Sequence, residues 1–178
     1  FGVSKKINIA IFGHGLVGGT LINQILESAP AIEKRKDIRL NVFAIANSKN
    51  LLLNKNGVSP NWKNEIQTNG FAYTINDVIA FANDNHLENL IAVDNSASAV
   101  FVENYTKLAE NGFDLISSNK VANTLSYKFY KDLRKVLAEN QKSYLYEINV
   151  GAGLPLIDTI KLLHLSGENI TKIKGVFS

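Results

Sequence analysis

Gly13-His14-Gly15-Leu16-Val17-Gly18 is the first stretch whose residue types and spacing could do chemistry. Glycines in the order G-x-G-x-x-G, directly after an apolar strand and directly before a helix, form a cradle for phosphate. The first permits a tight turn, the second lets the backbone approach a pyrophosphate, and the third lets helix and strand pack closely. The helix N-terminus then turns its unpaired N–H groups toward the phosphate. His14 stands at a variable position and reads as a tolerated residue rather than a catalyst. The plainer reading of the glycines is a turn that serves packing alone.

Further clusters follow other apolar runs. Ala46-Asn47-Ser48-Lys49 ends the second. A carboxylate there would hydrogen-bond the ribose 2′-hydroxyl of NAD and repel a 2′-phosphate. Donors and a cation stand in its place, which favours NADP over NAD and puts Asn47 and Lys49 near the phosphate. A solvated loop lysine is the alternative for Lys49. Asp94-Asn95-Ser96-Ala97-Ser98 offers small polar residues that could cap a helix or pack against a nicotinamide ring. Ser117-Ser118-Asn119-Lys120 ends in a lysine that either serves a ligand or stays in solvent. Glu147-Ile148-Asn149-Val150-Gly151-Ala152-Gly153-Leu154-Pro155 runs into a glycine-rich turn. Exposed carbonyls beside a carboxylate suit a hard cation, and a packing turn is the competing reading.

Alternating strands and helices must position these residues. Ile7 to Phe12 reads as a buried strand, followed by a helix carrying Leu21, Ile22, Ile25 and Leu26 and ended with the help of Pro30. Leu40 to Ala46 is the second strand. Asn47 to Gly70 reads as a long excursion with little regular structure. A helix over Ile75 to Asn85 leads to the strand Leu90 to Val93, ending at Asp94. Phe101, Tyr105 and Leu108 mark one helix closed by Asn111-Gly112. The strand Asp114 to Ser117, a helix with Phe129, Leu133, Val136 and Leu137, the strand Tyr144 to Ile148 and a helix opened by Pro155 follow. This alternation predicts an α/β fold, a doubly wound parallel sheet of Rossmann type with Gly13 to Gly18 at its switch point. Ligands of such sheets bind beyond the C-terminal strand ends, where every cluster named above falls.

Composition bounds the partners. The chain has 178 residues, 46% hydrophobic and 20% charged, which excludes a disordered chain. A net charge of +3 without a basic block gives no reason to expect nucleic acid. The absence of cysteine excludes disulfides and thiolate chemistry within the chain, and is compatible with a cytoplasmic protein. No apolar run reaches the roughly 18 residues of a membrane span, so no membrane partner is expected. The chain opens on Phe1 and stops at Ser178 just after an apolar stretch, which reads as part of a longer protein.

Taken together, the blocks FGHGLVGGTL, DNSAS, SSNKVANT and YEINVGAGLPLIDTI resemble homoserine dehydrogenase, in the family's order and over essentially the whole chain. The tail IKGVFS resembles the segment where that family's catalytic domain begins. AIANSKNLL is similar to the bifunctional aspartokinase–homoserine dehydrogenases, so a kinase domain before Phe1 is an expectation. The resemblance implies NAD(P)-dependent interconversion of L-aspartate 4-semialdehyde and L-homoserine, on the route to threonine and methionine. It implies that residues 1–155 bind the cofactor and that residues 156–178 lead into a catalytic, substrate-binding domain. By motif, Gly13, Gly15, Leu16, Val17 and Gly18 form the fingerprint, while Ser96 and Lys120 contact the nicotinamide end. The resemblance implies that Lys120 would also approach the substrate and help in proton transfer. The resemblance also implies that Glu147, Val150, Ala152 and Leu154 would surround a monovalent cation, sodium in the family, mostly by backbone carbonyls. A homo-oligomer is expected of the full-length protein. SSNK stands where the family often has TPNK. Two alternatives stay open: another semialdehyde dehydrogenase of this cofactor fold, and a nucleotide-sensing module without turnover. The first class needs a cysteine nucleophile, which this chain lacks.

Overall fold

The computed structural model describes residues 5–13, 16–36, 38–119, 125–146, 158–160 and 173–175. In chain order the elements are β1 (Lys5–Phe12), α1 (Leu16–Lys36), β2 (Ile38–Ala46), β3 (Leu51–Leu53), α2 (Trp62–Asn69), α3 (Ile75–Asp84) and β4 (Leu90–Asp94). They continue with α4 (Ala99–Val102), α5 (Tyr105–Glu110), β5 (Phe113–Ser117), α6 (Tyr127–Asn140), β6 (Tyr144–Tyr146) and β7 (Ile173–Gly175). The strands form one sheet in the order β3-β2-β1-β4-β5-β6-β7. Neighbours run parallel except β2 and β3, which are antiparallel. From β1 the chain passes first to β2 on one side and later to β4 on the other. The expected doubly wound sheet is therefore present, with its switch point above the end of β1, where Gly13 stands.

Strand alternation divides the core between two faces. Ile7, Ile9 and Ile11 pack with Leu21, Ile22 and Ile25 of α1 and with Trp62 and Ile66 of α2. Ala10 and Phe12 face the other way, among Val78 of α3, Leu108 of α5 and Leu133 and Leu137 of α6. Central strands buried on both faces read as near-continuous apolar runs, which is why LIAVD and FDLIS carry so few polar residues. One polar pair interrupts the apolar centre. Asn8 and Asn41 are register partners on β1 and β2, and Asn41 Nδ2 donates to Asn8 Oδ1 at 2.8 Å.

Three expectations are corrected. Pro30 does not end α1, which runs on to Lys36. The proline is exposed on the helix surface, and Ile32 beyond it is buried in the core. The stretch from Asn47 to Gly70 is not irregular throughout, since β3 and α2 lie within it. Trp62 is fully buried and its indole Nε1 donates to Asn23 Oδ1 of α1 at 2.9 Å. Phe101, Tyr105 and Leu108 do not share one helix, because the chain breaks between α4 and α5 at Glu103-Asn104. Among the described residues no helix is long and apolar enough to cross a membrane.

Asp114 is buried near the start of β5, and its Oδ1 accepts the Ser143 N–H at 2.8 Å. Burial holds its carboxyl above the usual carboxylate range, while the Ser143 N–H, Lys142 and Lys5 pull the other way. The folded state thus binds this proton more tightly than the unfolded chain. The stabilisation it brings is present at acid pH and is lost as pH rises from the ordinary carboxylate value through the raised one. Asp114→Asn keeps an acceptor for Ser143 and removes the titration. Thermal unfolding followed from acid to neutral pH should show wild type losing stability more steeply than the variant. Parallel profiles would contradict this assignment.

Candidate functional site: a cleft at the switch point

The ends of β1, β2 and β4 are tied to one another. Gly13 N–H donates to the Ala46 carbonyl at 2.7 Å, and Asn95 N–H donates to the Phe12 carbonyl at 2.8 Å. Gly13 has φ +88°, and a Cβ there would lie 2.8 Å from Asn95 C and from Ser96 N. Glycine alone allows the turn to lie this close to the loop after β4. α1 begins at Leu16, with Val17 and Gly18 next in its first turn, and no acidic residue stands there to repel an anion. Gly15 lies outside the described residues.

A cleft of about 310 Å³ opens over these strand ends, lined by Gly13, Asn47, Ser48, Tyr73, Ser96 and Phe101 among others. Its floor is aromatic: the Phe12 and Phe101 rings have centroids 4.6 Å apart. Its β2 rim is a hydrogen-bonded polar turn. Asn47 Oδ1 accepts the N–H groups of Lys49 at 2.8 Å and Asn50 at 2.6 Å. The Tyr73 hydroxyl donates to the Asn47 carbonyl at 2.9 Å, and burial pushes its ionisation up, so it stays a donor. Lys49 is exposed just beyond this rim. The structure therefore brings Gly13, Asn47 and Ser96 to one cleft and leaves Lys49 at its margin. Lys120, Glu147, Val150, Ala152 and Leu154 lie outside the described residues.

Beside the cleft is a buried polar cluster that the sequence reading did not assemble. Asp94 Oδ1 accepts the Ser96 N–H at 2.8 Å and the Ser96 hydroxyl at 2.6 Å. Asp94 Oδ2 accepts the Tyr105 hydroxyl at 2.5 Å and Asn119 Nδ2 at 3.1 Å. Tyr105 also lies 2.7 Å from Ser117 Oγ, which accepts the Asn119 N–H at 3.0 Å. Burial raises the Asp94 carboxyl, against the lowering by its hydrogen bonds from Ser96, Tyr105 and Asn119. Burial and the Asp94 charge push the Tyr105 phenol far up, so it acts only as a neutral hydroxyl. The available signal was an aspartate closing an otherwise apolar strand, since a buried carboxylate must find donors.

A parallel sheet with a glycine turn at its switch point, and an aromatic and polar cleft above it, defines a dinucleotide-binding domain of Rossmann type. The family profile described as homoserine dehydrogenase, NAD binding domain, matches residues 13–147. The chain belongs to that family. The bifunctional aspartokinase/homoserine dehydrogenase of Buchnera aphidicola is 40% identical over 176 residues, 98% of this chain and 21% of that protein. The homoserine dehydrogenase of Schizosaccharomyces pombe is 33% identical over 176 residues, 97% of this chain and 46% of that protein. A homoserine dehydrogenase from a hyperthermophilic archaeon, solved in complex with NADPH, aligns with a TM-score of 0.58 at 23% identity. That alignment covers 80% of this chain and 44% of the archaeal one, and supports the fold. The chain thus spans about a fifth of the bifunctional relative and under half of the single-function one.

Proposed function

We propose that this chain is the cofactor-binding part of an enzyme that reduces L-aspartate 4-semialdehyde to L-homoserine with NADPH. The observation that carries the reading is the constrained Gly13 turn at the switch point, inside the segment matched by the family profile. Membership of a catalytic family favours turnover over a sensing module. The bound nicotinamide cofactor would supply the hydride. The Gly13 turn and the N-terminus of α1 would receive the pyrophosphate, and the cleft between Asn47 and Phe101 the adenosine. Ser96 would meet the nicotinamide end. Lys120 would stabilise negative charge growing on the substrate carbonyl oxygen and deliver its proton. Glu147, Val150, Ala152 and Leu154 would hold sodium. Residues 156–178 would lead into the substrate-binding part of a cytoplasmic homo-oligomer.

The test is NADPH oxidation by the full-length protein with the semialdehyde as substrate. Tight NADPH binding without turnover would overturn the proposed activity and leave a sensor.

The preference for NADP rests on the β2 rim, where Ala46 is followed by Asn47, Ser48 and Lys49 and by no carboxylate. Asn47 shapes the turn, and Lys49 supplies the charge. Lys49→Glu should weaken NADPH binding relative to NADH by about tenfold, roughly the 1.4 kcal/mol that a charge-assisted contact contributes. Titration of both cofactors reads this directly. An unchanged preference would leave Lys49 a solvated loop residue.

A further inference from the structure

The cluster around Asp94 holds more than a packed core requires. Four donors converge on one carboxylate, and its two oxygens serve different segments. Oδ1 takes both donors of Ser96, at the cofactor side. Oδ2 takes Tyr105 from α5 and Asn119 from the end of β5. Among the described residues no cation pairs with this buried group. A carboxylate is the side chain that offers two oxygens which only accept. An asparagine in its place would still accept from Ser96. It would turn an amide N–H₂ against the amide of Asn119, donor against donor.

We propose that Asp94 is a positioning residue that couples Ser96, on the loop after β4, to the Asn119 segment that leads into Lys120. One rigid group fixes both segments, so ordering Ser96 against a cofactor also orders the approach to Lys120. This rests on the function proposed above, in which Ser96 meets the nicotinamide and Lys120 the substrate. Asn119 Nδ2 also donates to the Ser98 carbonyl at 2.9 Å, and Ser98 N–H lies 3.4 Å from Ser96 Oγ. The coupling has this second path to be tested against.

The experiment is a mutant cycle on the full-length protein, read by NADPH titration and by steady-state turnover. Ser96→Ala, Asn119→Ala and the double variant are each made in wild type and in Asp94→Asn. In wild type the double variant's NADPH dissociation constant should depart from the product of the single effects by roughly threefold or more. In Asp94→Asn the effects should multiply. Asp94→Asn alone should leave NADPH affinity within a few-fold while kcat falls by about tenfold or more, because the Ser96 arm is kept while the Oδ2 contacts with Asn119 and Tyr105 are disturbed. Multiplying effects in wild type, coupling that persists in Asp94→Asn, or an undiminished kcat each overturn the proposal. If Asp94→Asn fails to fold, Tyr105→Phe, which removes a hydroxyl bonded to Asp94 Oδ2, replaces Asn119→Ala in the wild-type cycle, and effects that multiply with Ser96→Ala overturn the proposal. Wild-type protein that binds no NADPH would refute the function proposed above instead.

Discussion

Lys120→Ala in the full-length protein is expected to lower kcat by about 10²- to 10⁴-fold, with folding and most NADPH affinity preserved. The size follows from the role proposed for Lys120 above. Hydride arrival leaves negative charge on the carbonyl oxygen, and a positioned ammonium both stabilises that charge and can give it a proton. The fold positions the residues that precede Lys120. β5 ends at Ser117 alongside β4, and the Ser118 N–H donates to the Asp94 carbonyl at 3.0 Å. Asn119, the residue before Lys120, is held by Asp94 and Ser98 at the edge where open parallel sheets present groups to ligands. Lys120→Arg separates the two contributions, because guanidinium keeps its charge and does not release a proton at working pH. It should recover charge stabilisation without proton delivery and fall between Ala and wild type. Steady-state kinetics beside NADPH titration measure both variants. Near-normal turnover by the Ala variant would make Lys120 a surface lysine.

Gly13→Val should abolish measurable NADPH binding and destabilise the domain by more than the about 1–3 kcal/mol of backbone strain alone. At φ +88° a branched side chain is strained wherever it sits, and here the Cβ also strikes backbone atoms 2.8 Å away, which cannot swing aside. The turn or the loop after β4 must move, and either movement spoils the cleft. Gly112 supplies the control. It has φ +92° with nothing within 4 Å of an added Cβ. Gly112→Ala should cost only backbone strain and leave NADPH affinity intact. Thermal unfolding and cofactor titration on the two variants distinguish a requirement for close approach from a general intolerance of side chains at positive φ. Equal loss of binding in both would contradict the role given to the Asn95–Ser96 contact.

The glycine turn and the long apolar strands were legible because each rests on local pattern. Ile7 to Phe12 and Leu90 to Asp94 can hardly be anything but central strands, and a G-x-G-x-x-G between strand and helix has few other uses. Tertiary contacts wrote the rest. α2 reads WKNEIQTN, mostly polar, and only Trp62 and Ile66, four residues apart, betray its buried stripe. β3 has three residues, too few for alternation to register. The spacing of Phe101, Tyr105 and Leu108 suited one helix, yet Ser98 caps a single short turn and the chain restarts at Tyr105. Gly13, Asn47 and Ser96 could be placed at the site because each follows a strand. The pairing of Asp94 with Tyr105 and Asn119 could not, since it depends on how two loops meet.

The Asn8–Asn41 pair bears on which structure the chain rejects. β1 and β2 are apolar on both faces over most of their length, so apolar patterning alone distinguishes their registers less sharply than it would on a strand with one polar face. The buried amide bond between Asn8 and Asn41 breaks that degeneracy. A slip of one residue would separate the two side chains and take its donor from the buried Asn8 Oδ1, at about 1–3 kcal/mol. Two asparagines in an aliphatic sheet thus act as a proofreading mark. They add little to the stability of the correct alignment and much to the instability of every wrong one.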